Sequence, residues 1–155
     1  MDDDNIAALV LDLDQDNWGK AEDAREKLVP IGAAVLSLFL QYYPKLRTYR
    51  GRTCMLYTAI KFARVSDMAV ELGVMALNDK SRQVRYRACA VLAFSLRKDV
   101  IADLRKVLDH PDAQTVADAA AAIDAIKHQN HHYFQDRHHT GKSKWHVSGA
   151  PEDLS

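Results

Sequence analysis

A short helical segment recurs along this chain, and an internal repeat constrains the possible folds more than any other sequence feature. Residues 84–92 align with residues 49–57 at an offset of 35, since both carry an Arg-x-Arg pair followed by a cysteine. Residues 84–92 also align with residues 116–123 at an offset of 32, and a weaker match lies at residues 24–28. A second amphipathic segment follows each copy except the last. The sequence therefore predicts a helix pair of about 30–35 residues, repeated three to four times.

Apolar periodicity supports a helical repeat unit. The first stripe has the i, i+3, i+4, i+7 spacing of one helix face and consists of Ile6, Leu9, Val10 and Leu13. Seven further stripes of this type follow, one of which begins at Ile31 and another of which contains Cys54 and Tyr57. Alanine accounts for 22 of 155 residues, against six glycines and four prolines, a composition that favours closely packed helices. Strand signals are missing, so we predict an all-α fold.

The turn and helix between Asn78 and Leu92 resemble the HEAT-repeat signature. In that family an aspartate in the turn precedes a Val-Arg pair, then small residues and a leucine. Asp79, Val84 and Arg85 stand in the first three of these positions, and Leu92 stands in the last. The chain is thus similar to the HEAT-like, armadillo-type repeat proteins. This signature is informative about the fold and does not specify a function.

The resemblance covers roughly residues 16–128. Residues 108–121 are a second match, in which Ala117 replaces the usual arginine. The family implies a short right-handed α-solenoid of three to four HEAT-like helix pairs with capping ends. It also implies a solenoid domain over residues 1–130 and a His-rich C-terminal tail over residues 131–155, which packs on the last repeat or extends from it.

The formal net charge is zero, but the charges are unevenly distributed. The first 19 residues contain six Asp and no Lys or Arg, whereas residues 30–98 contain twelve Lys+Arg and three acidic residues. Stabilisation of a helix N-terminus accounts for the aspartates at positions 2–4. It does not account for the three aspartates that follow the first apolar stripe, which predict a surface for a basic partner: Asp12, Asp14 and Asp16.

The Arg-rich middle of the chain allows two interpretations. Arg50 and Arg85 recur at the repeat spacing and line one edge of the predicted solenoid, where they could contact phosphate or an acidic partner. Alternatively, such arginines pair with an aspartate in a neighbouring turn, such as Asp79, as a ladder between repeats. We favour the ladder for Arg50 and Arg85. Pairing in a ladder explains three other arginines less well, and these form an alternative basic surface: Arg47, Arg82 and Arg87.

The sequence predicts neither an enzyme nor a metal site. No motif typical of a nucleotide-binding loop, a hydrolase or a zinc protease occurs, so no catalytic residue and no cofactor are expected. His128, His131 and His132 have a spacing that could supply two zinc ligands from one helix face, but no residue clearly completes the site. Cys54 and Cys89 are predicted to be buried free thiols.

An acidic start and the lack of an apolar run of about 20 residues predict a cytoplasmic protein without membrane contact. The size and architecture resemble the HEAT-like immunity proteins that protect bacteria from secreted nuclease toxins. The resemblance implies a protein partner, a nuclease toxin domain, whose basic active site an acidic surface would cover. We expect a monomer or a 1:1 complex.

The residues predicted to bind this partner combine carboxylates with aromatic anchors. They are Asp12, Asp14, Asp16, Trp18, Tyr42, Tyr43 and Trp145. Packing around Pro44 at a helix end explains Tyr42 and Tyr43 equally well. The alternative function is nucleic-acid binding through the Arg-rich band, as in HEAT-like DNA glycosylases. A bilin-lyase-like chaperone is a third, less favoured option.

Overall fold

The chain folds into α-helices, as the apolar periodicity predicts, and shorter 3₁₀ segments lie next to several of them. The computed structural model describes residues 2–151, and no strand occurs in that range. The α-helices are α1 (Asp3–Leu11), α2 (Trp18–Leu28), α3 (Leu36–Tyr42), α4 (Tyr49–Ala59), α5 (Asp67–Ala76), α6 (Arg82–Ser95), α7 (Ile101–Val107) and α8 (Ala113–Lys127). The 3₁₀ turns are Val29–Val35, Tyr43–Lys45, Ile60–Phe62, Lys98–Val100 and His131–Phe134. Within the described range, no helix is both long and apolar enough to cross a membrane.

Several helices begin directly after a residue whose side chain caps the helix N-terminus. Asp2, Asn17 and Thr48 each accept a hydrogen bond from the backbone N–H three residues later, and they begin α1, α2 and α4. The stripe predicted to begin at Ile31 differs, because Gly32 has a φ of +77° and interrupts the helical backbone. The first part of that stripe is therefore a 3₁₀ turn, and α3 starts only after it.

The helices contact one another in two rows. In one row α2 contacts α4, α4 contacts α6 and α6 contacts α8. In the other row α1 contacts α3, and α3 contacts α5. Contacts between α1 and α2, α4 and α5, α5 and α6, and α7 and α8 join the rows. Successive helix pairs thus pack side by side around a shared apolar core.

Small and apolar residues at the helix contacts allow close packing. Gly51 lies where α4 meets the segment between α1 and α2, and a Cβ atom there would stand 2.8 Å from the carbonyl oxygen of Leu13. Both cysteines are buried free thiols, which confirms the prediction. Burial raises the pKa of Cys54 to about 11 and that of Cys89 to about 12. Neither thiol is ionised at neutral pH.

The segment after α8 folds back onto α6 and α8. Gln129 has a φ of +49° and ends the helical path, so His131 lies in a 3₁₀ turn rather than on α8. The prediction that His128, His131 and His132 share one helix face is therefore wrong. Phe134, the last residue of this turn, is fully buried. Its burial anchors the first part of the predicted tail to the helices. The last four residues of the predicted tail, 152–155, lie outside the described range, as does the first residue of the predicted solenoid domain.

Candidate binding groove

Two buried arginines join successive helix pairs through the same pair of contacts. Arg52 donates to the carbonyl oxygen of Leu46 at 3.1 Å and to the carboxylate of Asp79 at 2.7 and 3.1 Å. Arg85 donates to the carbonyl oxygen of Asp79 at 2.8 Å and to the carboxylate of Asp112 at 3.2 Å. In both cases the carbonyl lies six residues before the arginine and the carboxylate 27 residues after it. We call these contacts the Arg–Asp ladder.

The ladder corrects the register of the sequence repeat. Its contacts make Arg52 equivalent to Arg85, an offset of 33 residues, whereas the Arg-x-Arg pattern aligned Arg50 with Arg85 at an offset of 35. Arg50 instead donates to the carbonyl oxygen of Gln15 at 3.0 Å, and its guanidinium lies 4.8 Å from the ring centre of Tyr49. Residues two apart point about 200° apart around a helix, so a shift of two exchanges the buried arginine for another one.

Tyr43 belongs to the ladder rather than to a free surface. Its side chain is buried, and its hydroxyl donates a hydrogen bond to Asp79. Burial and the neighbouring carboxylate raise the pKa of Tyr43. Burial also disfavours the ionised form of Asp79, but hydrogen bonds from Arg52, Tyr43 and the backbone of Ser81 outweigh it and lower the pKa of that carboxyl. Tyr43 therefore has little surface to offer a partner.

The acidic residues near α1 have different environments. Asp14 accepts hydrogen bonds from the backbone N–H of Arg47 at 3.0 Å and of Thr48 at 2.8 Å. Burial alone would raise the pKa of Asp14, but these backbone hydrogen bonds hold it below its usual value. Asp14 thus fixes the segment after α1 to the start of α4. Asp12 and Asp16 are exposed and remain available to a partner.

A groove follows the exposed sides of α2, α4, α6 and α8. Three adjoining cavities form it, and Arg87 lines all three. The most enclosed cavity, between α4 and the C-terminal segment, has a volume of about 510 Å³. The aromatic and cationic residues that line the groove include Trp18, Arg25, Tyr57, Tyr86, Arg87 and Trp145.

Two guanidinium groups contact one exposed tyrosine at the centre of the groove. Tyr57 is 49% exposed, and the Cζ atoms of Arg25 and Arg87 each lie 4.9 Å from its ring centre. Arg87 also lies 5.7 Å from the ring of Tyr86. Such cation–π contacts orient a guanidinium without neutralising it. Arg25 is neutralised by Glu22 at 2.5 Å, but no described carboxylate forms an ion pair with Arg87.

The two tryptophans predicted as anchors lie at different ends of this groove. Trp18 begins α2, is 47% exposed, and meets the ring of Tyr49 edge-on at 5.8 Å. Trp145 is half-buried, with its ring 5.8 Å from Phe94 and 5.5 Å from Phe134. These contacts hold each indole in place and leave part of it accessible. The groove therefore has an aromatic group at each end and a cationic centre.

Of the residues predicted to bind a partner or nucleic acid, the groove brings together Trp18, Arg87 and Trp145. Arg82 lies at its rim, where it forms an exposed ion pair of 2.8 Å with Asp112, the residue that precedes α8. Arg47 lines a separate open depression beside the ladder. Tyr42 is half-buried and its ring lies 5.1 Å from the ammonium of a neighbouring lysine, outside the three cavities.

The sequence did not indicate Arg25, Tyr57 and Tyr86 as site residues. Its apolar stripe placed Tyr57 in the core with Cys54, but the structure buries Cys54 and exposes Tyr57. The two residues are three positions apart, so their side chains differ by about 60° in direction, enough to separate core from surface. A large aromatic at the edge of an apolar stripe was the one signal available. The contact of Arg25 with Tyr57 depends on the stacking of α2 against α4 and has no sequence signature.

No protein-family model and no curated protein matches the chain. The chemistry of the groove is therefore the basis for a functional conclusion. Its aromatic faces and an arginine that no described carboxylate neutralises equip it to hold a ligand by apolar and ionic contacts.

Proposed function

We propose that the chain is a protein-binding module, in which the two rows of helices form a short right-handed α-solenoid of HEAT-like pairs. Stacking of α2, α4, α6 and α8 and the repetition of the ladder contacts support this architecture. The observation that carries the function is the groove centred on Tyr57 and Arg87. Tryptophan, tyrosine and arginine dominate the energetics of protein interfaces, and here they line one continuous surface.

The partner that we propose is a nuclease toxin domain, which makes the chain an immunity protein. Asp12 and Asp16 are exposed and precede Trp18 by six and two residues, and neither lines the three cavities. We propose that their carboxylates extend the binding surface beyond the groove. A nuclease active site is basic because it binds a polyanion, and opposite charges would steer the two proteins together. Trp18 and Tyr57 would then be desolvated against the partner. Arg87 would pair with one of the partner's carboxylates.

The test combines affinity capture with a nuclease assay. Tagged wild-type chain and the variants Trp18→Ala, Tyr57→Ala and Arg87→Ala are used to capture proteins from the native cell extract. We expect the wild type to retain one partner in stoichiometric amount and each variant to retain at least about tenfold less, as for interface hot spots. The matched control is Tyr42→Ala, which lies outside the groove and should capture normally.

The captured partner is then assayed for cleavage of RNA and DNA, with and without the wild-type chain. The proposal predicts cleavage that one equivalent of the chain suppresses. A partner without nuclease activity would overturn the immunity function but would not contradict the groove as the binding site. Equal capture by the wild type and by all three groove variants would overturn the groove as the binding site.

A second function, nucleic-acid binding, is supported by one specific observation. Arg87 carries a charge that no described carboxylate neutralises, beside two tyrosine rings on which a base could stack. The measurement is fluorescence anisotropy of labelled duplex DNA and single-stranded RNA at several salt concentrations. This function predicts binding that weakens steeply with salt, and loss of about one unit of slope in Arg87→Ala. Absence of binding at low salt excludes it.

A further inference from the structure

Three potential metal ligands converge where the C-terminal segment folds back onto α8. Asp124 and His128 are separated by one helical turn, and His139 comes from the segment that follows. One ligand atom from each residue lies within 4.8 Å of the other two. Nε2 of His139 is 2.5 Å from Asp124 Oδ2, and Nδ1 of His128 is 3.2 Å from Asp124 Oδ1. Within residues 2–151 no second group of three such side chains meets this distance.

These separations are compatible with ligands around a single zinc ion. Tetrahedral zinc has bonds of about 2.0–2.1 Å to imidazole and carboxylate, which places neighbouring ligand atoms about 3.3 Å apart. The two distances end on different oxygens of Asp124, so a carboxylate that binds zinc through one oxygen has to turn, and His139 has to move outward by less than about 1 Å. Nδ1 of His128 also lies 2.9 Å from the carbonyl oxygen of Asp124, a contact that binding of zinc to this nitrogen would replace. Two imidazoles and one carboxylate would leave a fourth position for water or another ligand.

Contacts within the chain hold His139 in place. The ring of Tyr133 stacks on the imidazole of His139 at 3.8 Å with an angle of 12° between their planes. The backbone N–H of His139 donates to the carbonyl oxygen of Asp136 at 3.1 Å. The carboxylate of Asp136 in turn accepts hydrogen bonds from the backbone N–H groups of Thr140 and Gly141 at 3.0 and 2.7 Å. A ligand that is positioned before the metal arrives loses less conformational freedom on binding.

We propose that Asp124, His128 and His139 form a zinc site that fastens the C-terminal segment to α8. None of the three residues lines the binding groove, so the site is independent of the proposed function. Because one ligand comes from α8, one from the residue directly after it and one from the following segment, zinc binds the folded chain and stabilises this junction. The alternative is a cluster held by hydrogen bonds alone, which needs no metal.

Isothermal titration calorimetry of zinc chloride into the chelator-treated full chain tests the site. The informative substitution is His139→Asn, because asparagine tolerates the φ of +54° found at this residue. The matched control is His138→Asn, an exposed neighbour outside the cluster. We expect one zinc ion per chain in the wild type and in the control. Affinity should be at least about tenfold lower in His139→Asn and in His128→Asn, since loss of even a secondary contact has that effect.

Thermal melts provide a second readout. Zinc should raise the melting temperature of the wild type and of His138→Asn, and at the same zinc concentration should raise that of His139→Asn by clearly less. Circular dichroism of the metal-free variants establishes that they are folded, and Asp124→Asn replaces any that is not. Failure of the wild type to bind zinc, or equal binding by His139→Asn and the wild type, would overturn the proposal. Neither result bears on the groove, whose residues are unchanged in these variants.

Discussion

Arg85 and Arg87 lie two residues apart on α6 and have opposite environments. The guanidinium of Arg85 is buried, donates to a threonine hydroxyl and a carboxylate, and joins α6 to α8. The guanidinium of Arg87 is partly exposed, contacts two tyrosine rings, and has no ion pair with any described carboxylate. One side of the helix thus holds a neutralised arginine that the fold requires, and the other side holds a charge that a ligand can use.

The difference between the ladder and the groove follows from desolvation. A buried charge is tolerated only when carboxylates and carbonyl oxygens replace the water that it loses, and Arg52 and Arg85 have both. A partly exposed charge keeps some of its water and needs no internal partner. An arginine that the chain leaves unneutralised is therefore better evidence of recognition than one that recurs in a repeat.

The largest predicted effect comes from breaking the ladder at Asp79. In Asp79→Asn the guanidinium of Arg52 stays buried without its counter-charge, and both side chains of the original pair are at most 7% exposed. Loss of one partner from such a pair costs about 3–5 kcal/mol of unfolding free energy. Urea denaturation monitored by circular dichroism measures it.

The matched control for this substitution is Asp67→Asn. Asp67 also pairs with an arginine, Arg97, but its carboxylate is 96% exposed. Surface pairs of this kind contribute less than about 1 kcal/mol. Equal losses of unfolding free energy in Asp79→Asn and Asp67→Asn would contradict the view that burial makes the ladder ion pairs stronger than surface ion pairs.

A second, smaller effect separates two arginines that share the carboxylate of Asp112. Arg85→Ala removes a buried donor from Asp112 and from the hydroxyl of Thr115, and should cost about 1–3 kcal/mol. Arg82→Ala removes an exposed donor from the same carboxylate, and its melting temperature should stay close to that of the wild type. A greater loss of unfolding free energy in Arg82→Ala than in Arg85→Ala would refute the assignment of Arg85 to the ladder.

The fold could be predicted from the sequence better than the groove. Apolar stripes predicted the α-helices because their spacing depends on local geometry alone. The sequence predicted an arginine–aspartate ladder between repeats, but it placed Arg50 in the ladder instead of Arg52. Both arginines belong to the same local Arg-x-Arg motif, and only contacts between repeats distinguish them. The pairing of Asp124 with His139 spans a chain reversal that begins at Gln129, and no spacing rule indicates it.

Acid titration should weaken the ladder more than the groove. Hydrogen bonds from Arg52 and Tyr43 hold the pKa of Asp79 below its usual value despite burial, so the ionised form stabilises the folded chain. That contribution is complete above about pH 4, the ordinary carboxyl range, and is lost as the pH falls through the lowered pKa. The gap in unfolding free energy between the wild type and Asp79→Asn should therefore narrow below that pH. If the difference in unfolding free energy stays constant as the pH falls, ionisation of Asp79 is not the source of the stabilisation.

The smallest effect on stability is expected in the groove itself. Tyr57→Ala removes a half-exposed ring, and Arg87→Ala removes a guanidinium with no ion pair to a described carboxylate. Neither change should lower the unfolding free energy by more than about 1 kcal/mol. A loss as large as that of Asp79→Asn would place these residues in the structural framework and remove them from the binding surface.

The measurement that tests the account most directly is partner capture by Arg87→Ala and Arg82→Ala side by side. Both remove an arginine from α6, and both variants should melt close to the wild type. We expect Arg82→Ala to retain the partner at nearly the wild-type level and Arg87→Ala to retain at least about tenfold less. Undiminished capture by Arg87→Ala in a folded protein would contradict the central claim that the groove around Tyr57 and Arg87 is the binding surface.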